Sequence, residues 1–487
     1  MMKKTISVLT CTILLLGQVK ADIELPDLGS PSDVYLSKLD EPAIGRAYYR
    51  NLRQQGQVVE DPLLNEYIQD LGNKLSSKVQ DGDFQFNYFF VPQNSINAFA
   101  MPGGYIGIHN GLCLAADNES QLASVVAHEI SHVTQRHISR QIGDQVPNSI
   151  QGGLILLGAI LLGAMSGNSE IVEAGAMVAP SVMTQNQIDF TRDMEIEADA
   201  IGIKTLGLSG YDPYAMSEFF EKLSTGSDPR NAQSIEFLRT HPTSVNRSAA
   251  AKKQARRMTV ERKDESLGFE LSKARIRHLF SITPEKSYEY FLEKANQDRL
   301  SDNLSNHQIG NLYGLALSLV QLGLVDDAES IITRFLDEKH EFGHFHILYA
   351  DLMIEKEMPD KALQHLNKRL LLSPRNIPLT IKYAELELAY GDPKKSHEIL
   401  LDLFNNKVPT PIQIRLIANA ANQAGQRAEA FSYMAEFYLS MGNFQEAIEQ
   451  LKIALTMKPI TNIQKSKYIA RLNEVEEYLD EINKNRR

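Results

Sequence analysis

Hydrophobic positions in the first part of the 487-residue chain change from helical to alternating spacing and back. Between Glu41 and Val79 the apolar residues recur at helical intervals. The segment "FQFNYFFV", Phe84 to Val91, is aromatic and alternating, which is typical of a strand. Asn97 to Leu112 then holds a Pro-Gly-Gly turn and a second short strand, Tyr105 to Ile108. Cap-type residues at 118–120 precede a further apolar helix, so the pattern predicts helices around a small sheet.

Four segments of different character follow in the middle of the chain. Gly152 to Met165 is apolar but has only 14 residues, too few for a membrane span, and we interpret it as a buried or lid-like hairpin. A helix is expected over Arg192 to Leu206, and the polar "RTHPTSVNR", Arg239 to Arg247, indicates a loop. Charged residues between Lys252 and Glu265 suggest a domain boundary.

The last third of the chain repeats small residues in steps of 34. One series is Ala316, Ala350, Ala384 and Ala418, and a second is Ala328, Ala362, Ser396 and Ala430, each followed four positions later by a large apolar residue. This period predicts paired antiparallel helices of the tetratricopeptide repeat (TPR) type. Ala447 follows Ala430 by only 17 residues, so we expect the helix around Ala428 to Tyr438 to serve two units.

Composition narrows the choice of partners and compartment. The formal net charge of −11 argues against nucleic acid or an anionic membrane surface as the main partner. Lys3 and Lys4, the short apolar run Ile6 to Leu16 and the small-residue site ending at Ala21 predict a secretory signal peptide over residues 1–21 rather than a membrane anchor. Its removal leaves Cys113 as the only thiol, which we expect to be a buried apolar filler.

The segment "VVAHEISHVTQRH" carries the candidate chemistry. His128 and His132 are four positions apart, so on a helix both imidazoles project from one face and can reach one Zn²⁺. Glu129 points away from the helix face that carries the two histidines, so it can serve as a general base for water without binding the metal. A zinc protease helix is one interpretation, and an ordinary amphipathic helix is the other.

A catalytic zinc ion needs a third protein ligand. Metzincin spacing would put Gly and His where this chain has Gln135 and Ile138, which excludes that class. His137 lies off the ligand face if the helix continues, and we expect it to be exposed.

A later acidic segment, "RDMEIEADAIG", offers the alternative ligand. Glu195 and Asp199 share a helical face, whereas Glu197 points elsewhere. Glu195 as a ligand and Asp199 as the acceptor for a ligating histidine make a coherent set. A solvated acidic face is the competing interpretation, although the apolar neighbours favour burial.

Four motifs in order, "NAFAMPGGYIGIHNG", "HEISH", "EIEAD" and "THPTSVNR", followed by TPR units, resemble the gluzincin family of zinc proteases, in particular its soluble periplasmic members. The resemblance covers nearly the whole chain after residue 21. It implies zinc ligation by His128, His132 and Glu195, with Glu129 as the catalytic base. It also implies that the histidine of the His-Pro loop, here His241, can approach the zinc ion as a regulatory fourth ligand.

The resulting fold class is mainly α with an α+β part: a zincin-like domain with a small sheet, followed by an all-α TPR solenoid. We expect the signal peptide at 1–21, the protease domain at 22–262, a helical linker at 263–304 and the repeats at 305–487. The resemblance implies a periplasmic enzyme of a Gram-negative bacterium that assists or degrades outer-membrane β-barrel proteins. Expected partners are unfolded or stalled outer-membrane proteins and their assembly machinery, held through the TPR domain. No nucleic acid and at most peripheral membrane contact are expected.

Substrate is expected to pair as an extended strand with an edge strand formed by Asn97, Ala98, Phe99 and Ala100. Two alternatives stay open. One is a chaperone or scaffold with a silent metal site, which an intact Glu129 disfavours. The other is an integral membrane protease, which the lack of an apolar run of about 18 residues after the signal peptide disfavours.

Overall fold

The structure is a computed structural model of the chain. It describes residues 37–79, 84–145, 183–225, 237, 241, 245–258, 266–295, 303–338 and 341–485. The expected signal peptide and the apolar segment Gly152 to Met165 lie outside these residues. Among the described helices, none combines the length and the apolar character that a membrane span requires.

A three-stranded mixed sheet lies beside the site. β1 (Asn87–Val91) pairs in parallel with β3 (Tyr105–His109), and β2 (Ala98–Met101) pairs antiparallel with β3, so β2 lies at an edge. Both predicted strands are present, although the first begins at Asn87 rather than Phe84. Gly107 faces Phe99 across the pair, and a Cβ at that position would lie 2.4 Å from the ring. The absence of a side chain there lets the aromatic ring pack over β3.

Eight helices complete the described part of the N-terminal domain. In chain order they are α1 (Glu41–Gln54), α2 (Pro62–Ser76), α3 (Asn110–Ala115), α4 (Glu119–Thr134), α5 (His137–Gln145), α6 (Met183–Leu208), α7 (Ala215–Thr225) and α8 (Val245–Ala255). The expected cap of α4 is confirmed, because the Asn118 side chain accepts the Gln121 N–H at 3.0 Å. The helix expected over Arg192 to Leu206 is also present, within the longer α6.

The α4 helix lies at the centre of this domain. It packs against α2, α6, α7 and β2. Its residues Val126 and Ile130 are fully buried in a core shared with α2, the sheet and α7. Cys113 is buried in the same core, as predicted. Apolar contacts on several sides therefore fix the helix that carries His128 and His132.

The remaining helices form antiparallel pairs. They are α9 (Leu267–Leu279), α10 (Pro284–Ala295), α11 (Asn306–Gln321), α12 (Val325–Glu338), α13 (Gly343–Glu355), α14 (Pro359–Leu372), α15 (Ile377–Tyr390), α16 (Pro393–Leu403), α17 (Pro411–Gln423), α18 (Arg427–Ser440), α19 (Phe444–Thr456) and α20 (Asn462–Asn485). The small residues of both predicted series are buried between helices. Helix α18 packs against both α17 and α19, as other helices of the solenoid pack against both of their neighbours, so its service in two units stays a prediction.

Helix α9, within the segment expected to be a linker, joins the two parts. Phe269 and Ile276 belong to the core of the N-terminal domain, whereas Leu267 and Leu271 belong to the solenoid core. Arg275 adds two hydrogen bonds to Asp61 at the start of α2, at 2.9 and 2.6 Å. One helix is thus part of both cores, which fixes the solenoid against α2.

The pKa of Asp61 reflects this contact. Burial raises the pKa, but the Arg275 guanidinium and the N–H of Leu64 outweigh burial and hold it below its usual value. The Arg275 side chain is itself only 14% exposed.

Replacing Arg275 with Gln should lower the free energy of unfolding at pH 7 by about 3 kcal/mol, because a buried carboxylate loses its cation. In the wild type, the folded pKa of Asp61 lies below the unfolded value of about 3.9. The stabilisation is therefore present above that pH and is lost as the pH falls below it. Urea unfolding at several pH values should therefore show the gap between wild type and Arg275→Gln narrowing as the pH falls below about 4.

Arg375→Gln is the matched control. It removes a bidentate pair with Asp402 whose side chains are 53% and 58% exposed. Its cost should be much smaller than that of Arg275→Gln, because solvent screens an exposed ion pair. Equal losses from the two substitutions would contradict the role assigned to the junction.

Candidate metal centre

Four side chains from three parts of the chain converge beside α4. They are His128 and His132 of α4, Glu195 of α6, and His241, and their candidate ligand atoms all lie within 4.8 Å of one another. The Nε2 atoms of His128 and His132 are 3.0 Å apart, and His132 Nε2 lies 3.3 Å from Glu195 Oε1. Bonds of about 2.1 Å in a tetrahedron place ligand atoms about 3.4 Å apart. The separations therefore suit one small tetrahedral cation.

Local packing explains how the two helices present these groups. The four-residue spacing puts His128 and His132 on one face of α4, and that face meets α6. At the crossing, Gly202 lies against His128, whose backbone nitrogen would be 3.2 Å from a Cβ at that position. Glu195 faces inward and is 2% exposed, whereas the Glu197 side chain is 38% exposed. The structure therefore places the two acids as the helical-face argument expected.

The net charge of the buried side chains provides a second test of whether the site fits a zinc ion. Glu129, Glu195 and Asp199 are buried beside one buried guanidinium, that of Arg247, which leaves a net charge of −2 when the imidazoles are neutral. Buried excess charge of this size is costly unless a cation neutralises it. Two histidines and one glutamate are also a donor set that catalytic zinc uses. The residues present therefore fit a zinc ion.

The histidine pKa values show how the charge is compensated without a cation. Burial lowers the pKa of His128, but Glu195 and Asp199 outweigh burial and raise it to about 10. Burial lowers the pKa of His132 to about 3, so that imidazole is neutral, the form that binds metals. A proton on His128 thus offsets part of the negative charge, and metal binding would release it.

Glu129 is placed as expected for a base. Its side chain is fully buried, and among the described residues neither carboxylate oxygen accepts a well-formed hydrogen bond, although the backbone N–H of Ala100 is close enough to lower the pKa of the group. Burial raises the pKa of this carboxyl group, and the neighbouring His241 and His128 lower it only in part. A buried carboxylate with unused acceptors and a raised pKa is suited to taking a proton from water.

Asp199 is the partner of a ligand. Its Oδ1 lies 3.0 Å from His128 Nδ1, and it accepts hydrogen bonds from Arg247 Nε and Nη2 at 2.7 and 2.9 Å. Arg247 also contacts Glu195 Oε2 at 2.9 Å. The geometry agrees with the acceptor role proposed for Asp199. Sequence reasoning missed Arg247, whose only signal was its place at the end of the "THPTSVNR" motif.

The expectation that His137 is exposed was wrong. Helix α4 ends at Thr134, and Arg136 adopts a left-handed conformation with φ 52°, so His137 begins α5 in a new direction. Its ring is buried, with Nδ1 2.8 Å from His132 Nδ1 and Nε2 3.1 Å from Glu197 Oε2. With His132 Nε2 facing the ligand cluster, its Nδ1–H can donate to His137, and His137 can donate to Glu197.

His241 is anchored by its neighbours. Its backbone N–H donates to the carbonyl of Phe237 at 2.7 Å, and the two rings stack with centroids 4.8 Å apart. Phe237 in turn donates its N–H to the carbonyl of Ile96, just before β2. The His241 Nδ1 lies 2.8 Å from Glu195 Oε1, and its Nε2 lies 3.5 Å from Glu129 Oε1. His241 is thus beside both a ligand and the base.

The segment expected to pair with substrate lies at the sheet edge. Ala98, Phe99 and Ala100 lie in β2, which packs against α4. Asn97 directly precedes the strand; its buried side chain accepts the N–H of Ala98 at 3.0 Å, and its carbonyl accepts the N–H of His109 in β3 at 3.0 Å. Among the described strands, only β3 pairs with β2.

Comparison with known proteins agrees with this geometry. Residues 62–255 match the family described as peptidase family M48. A relative from Vibrio cholerae is 34% identical over 93% of this chain and 92% of its own length. The beta-barrel assembly-enhancing protease of Escherichia coli K12 is 32% identical over 97% of this chain and 96% of its own. The mitochondrial metalloendopeptidase OMA1 of Arabidopsis thaliana is 25% identical over 45% of this chain and 42% of its own length.

Replacing Glu195 with Ala should abolish stoichiometric zinc binding, because it removes the carboxylate of a three-ligand set. Asp193→Ala removes an exposed carboxylate from the same helix and should bind zinc like the wild type. Metal analysis after dialysis measures both variants. Retention of a full equivalent of zinc by Glu195→Ala would show that another residue is the third ligand.

Proposed function

The chain belongs to peptidase family M48 and is a metalloprotease, and we propose that it acts as a zinc endopeptidase in the Gram-negative periplasm. The relatives that match nearly its whole length are named beta-barrel assembly-enhancing proteases. The proposed substrates of this chain are outer-membrane β-barrel proteins that are unfolded or stalled in assembly. The TPR solenoid is proposed to hold these clients and their assembly machinery and to add a chaperone activity.

The observation that carries the proposal is the convergence of His128, His132 and Glu195 next to Glu129. Three candidate ligands and a buried carboxylate with unused acceptors are the parts that a zinc peptidase needs. A scaffold with a silent site has no use for a buried carboxylate without well-formed hydrogen bonds, because such a group is destabilising.

The residues of the site define the proposed chemistry. A zinc ion held by the three ligands would supply Lewis acidity towards water and the scissile carbonyl. Glu129 accepts a proton from the attacking water and delivers it to the departing amine, as a general base and then a general acid. Asp199, fixed by Arg247, keeps the His128 ring in one orientation.

Strand β2 is the proposed substrate-binding element. It lies at the sheet edge and packs against α4, which carries Glu129. An extended substrate segment can add to this edge through main-chain hydrogen bonds, which discriminate little between sequences. Folded proteins rarely offer an extended segment of this kind, so unfolded chains should be cleaved in preference.

Glu129→Gln should keep zinc and lose cleavage of an unfolded outer-membrane β-barrel protein, because the amide has the shape of the acid but cannot accept the proton. The expected loss in rate is about 10²-fold or more. Zinc content and cleavage products, followed by gel and mass spectrometry, are the measurements. The variant should still delay aggregation of the client if the solenoid acts as a chaperone.

Asp193→Gln is the matched control and should cleave like the wild type, because this carboxylate is exposed on α6. Turnover by Glu129→Gln at the wild-type rate would contradict the assigned base. Equal cleavage of the folded and unfolded forms of the client would contradict the edge-strand proposal while leaving the base unaffected.

His241 is proposed to restrain the resting enzyme. Its Nδ1 lies 3.3 Å from His128 Nε2, within the ligand cluster, so it can take the fourth position that a catalytic zinc must keep open. Release of His241 when the solenoid engages a client would then open the site.

His241→Ala should therefore retain zinc through the other three ligands and cleave the unfolded client faster than the wild type. Initial rates at equal zinc content measure the effect. A well-folded variant with an unchanged or lower rate would rule out the restraint. His365→Ala is the control, since this histidine lies in α14 of the solenoid and its ring contacts His346 and Tyr349 there.

A further inference from the structure

A buried carboxylate outside the ligand cluster contacts the turn that follows α4, the helix that carries His132. Glu41 is the first residue of α1 and is buried. Its Oε1 accepts hydrogen bonds from Arg136 Nε at 2.8 Å and from the Ser139 hydroxyl at 2.5 Å, and Arg136 Nη2 also lies 2.8 Å from it. Arg136 lies in the turn between α4 and α5, and Ser139 lies in the first turn of α5. The start of α1 thus binds the end of the helix that carries the two histidines.

The turn that Glu41 contacts has an unusual backbone. Arg136 has φ 52°, in the left-handed region where helices commonly place glycine after their last turn. A residue with a Cβ is disfavoured in that conformation and persists there when its surroundings hold it. The surroundings include the two contacts between the Arg136 guanidinium and Glu41, beside backbone hydrogen bonds of Arg136 with Val133 and Arg140.

The direction of this turn determines where His137 lies. Because the chain reverses at Arg136, the His137 ring returns to His132, with 2.8 Å between the Nδ1 atoms. His137 then contacts Glu197, which Arg140 also binds at 2.8 Å. Groups that orient a ligating histidine in this way strongly affect metal affinity.

We propose that Glu41 is a positioning residue of the metal centre, which acts through Arg136 and His137 to orient the His132 imidazole. It touches neither the ligand atoms nor the base. The proposal rests on the metal site proposed above, but it concerns the affinity for zinc and not the identity of the substrate. If the proposal proved wrong, the assignment of the three ligands and of Glu129 as the base would still stand.

The test compares zinc affinity in full-length Glu41→Gln and Glu41→Ala with the wild type, by competition with a chromophoric chelator. We expect affinity to fall about tenfold or more in both, the scale seen when a partner of a metal ligand is lost. The visible spectrum of the Co²⁺-loaded protein should also change, because the orientation of one imidazole changes. Circular dichroism confirms that the variants are folded.

Glu60→Ala is the matched control. Glu60 pairs with Arg53 of α1 at 2.9 Å and does not contact the α4–α5 turn. This variant should bind zinc like the wild type and give the wild-type Co²⁺ spectrum. An equal loss of affinity in Glu60→Ala would mean that any damage near α1 weakens the site, and would overturn the proposal.

A double variant tests whether Glu41 affects zinc affinity through the turn at Arg136. Glycine adopts the left-handed conformation without a partner, so adding Arg136→Gly to Glu41→Ala should restore the turn and move zinc affinity back towards the wild type. The double variant also leaves no unpaired buried charge. The proposal is overturned if folded Glu41→Gln binds zinc as the wild type does, or if the double variant binds no more tightly than Glu41→Ala.

Discussion

Negative charge buried where α4 crosses α6 is the constraint on which the rest of the site depends. Glu129, Glu195 and Asp199 lie within this crossing, and Arg247 is the one permanent cation that contacts it among the described residues. Such a cluster destabilises the fold unless it is neutralised. In the proposed function, a divalent ion held by two imidazoles and one carboxylate would neutralise this charge and would also supply catalysis. The same arrangement thus connects the stability of the domain to its activity.

The architecture holds that crossing from several directions. Apolar contacts with α2, the sheet and α7 fix α4, and Gly202 lets α6 approach it closely. Helix α9 then joins the domain to the solenoid through residues in both cores. Because α9 contacts α2 and α2 packs on α4, a continuous set of packed helices connects the solenoid to the metal-binding helix. This is a physical connection through which the proposed binding of a client to the solenoid would affect the site.

Sequence reasoning predicted the parts of the site that follow from regular helix geometry. The four-residue spacing placed His128 and His132 together, and the same periodicity separated Glu195 from Glu197. It failed for His137, because the argument assumed that α4 continued and no glycine marked the turn at Arg136. Arg247 could not be identified because its contacts depend on tertiary structure.

Zinc K-edge X-ray absorption on the purified full-length protein tests the central claim most directly. The account predicts one zinc ion with only nitrogen and oxygen ligands, at about 2.0–2.2 Å. The multiple-scattering signal should match three imidazoles, from His128, His132 and His241, and one imidazole fewer in His241→Ala. A spectrum with sulfur in the first shell, or with fewer than two imidazoles in the wild type, would contradict the account.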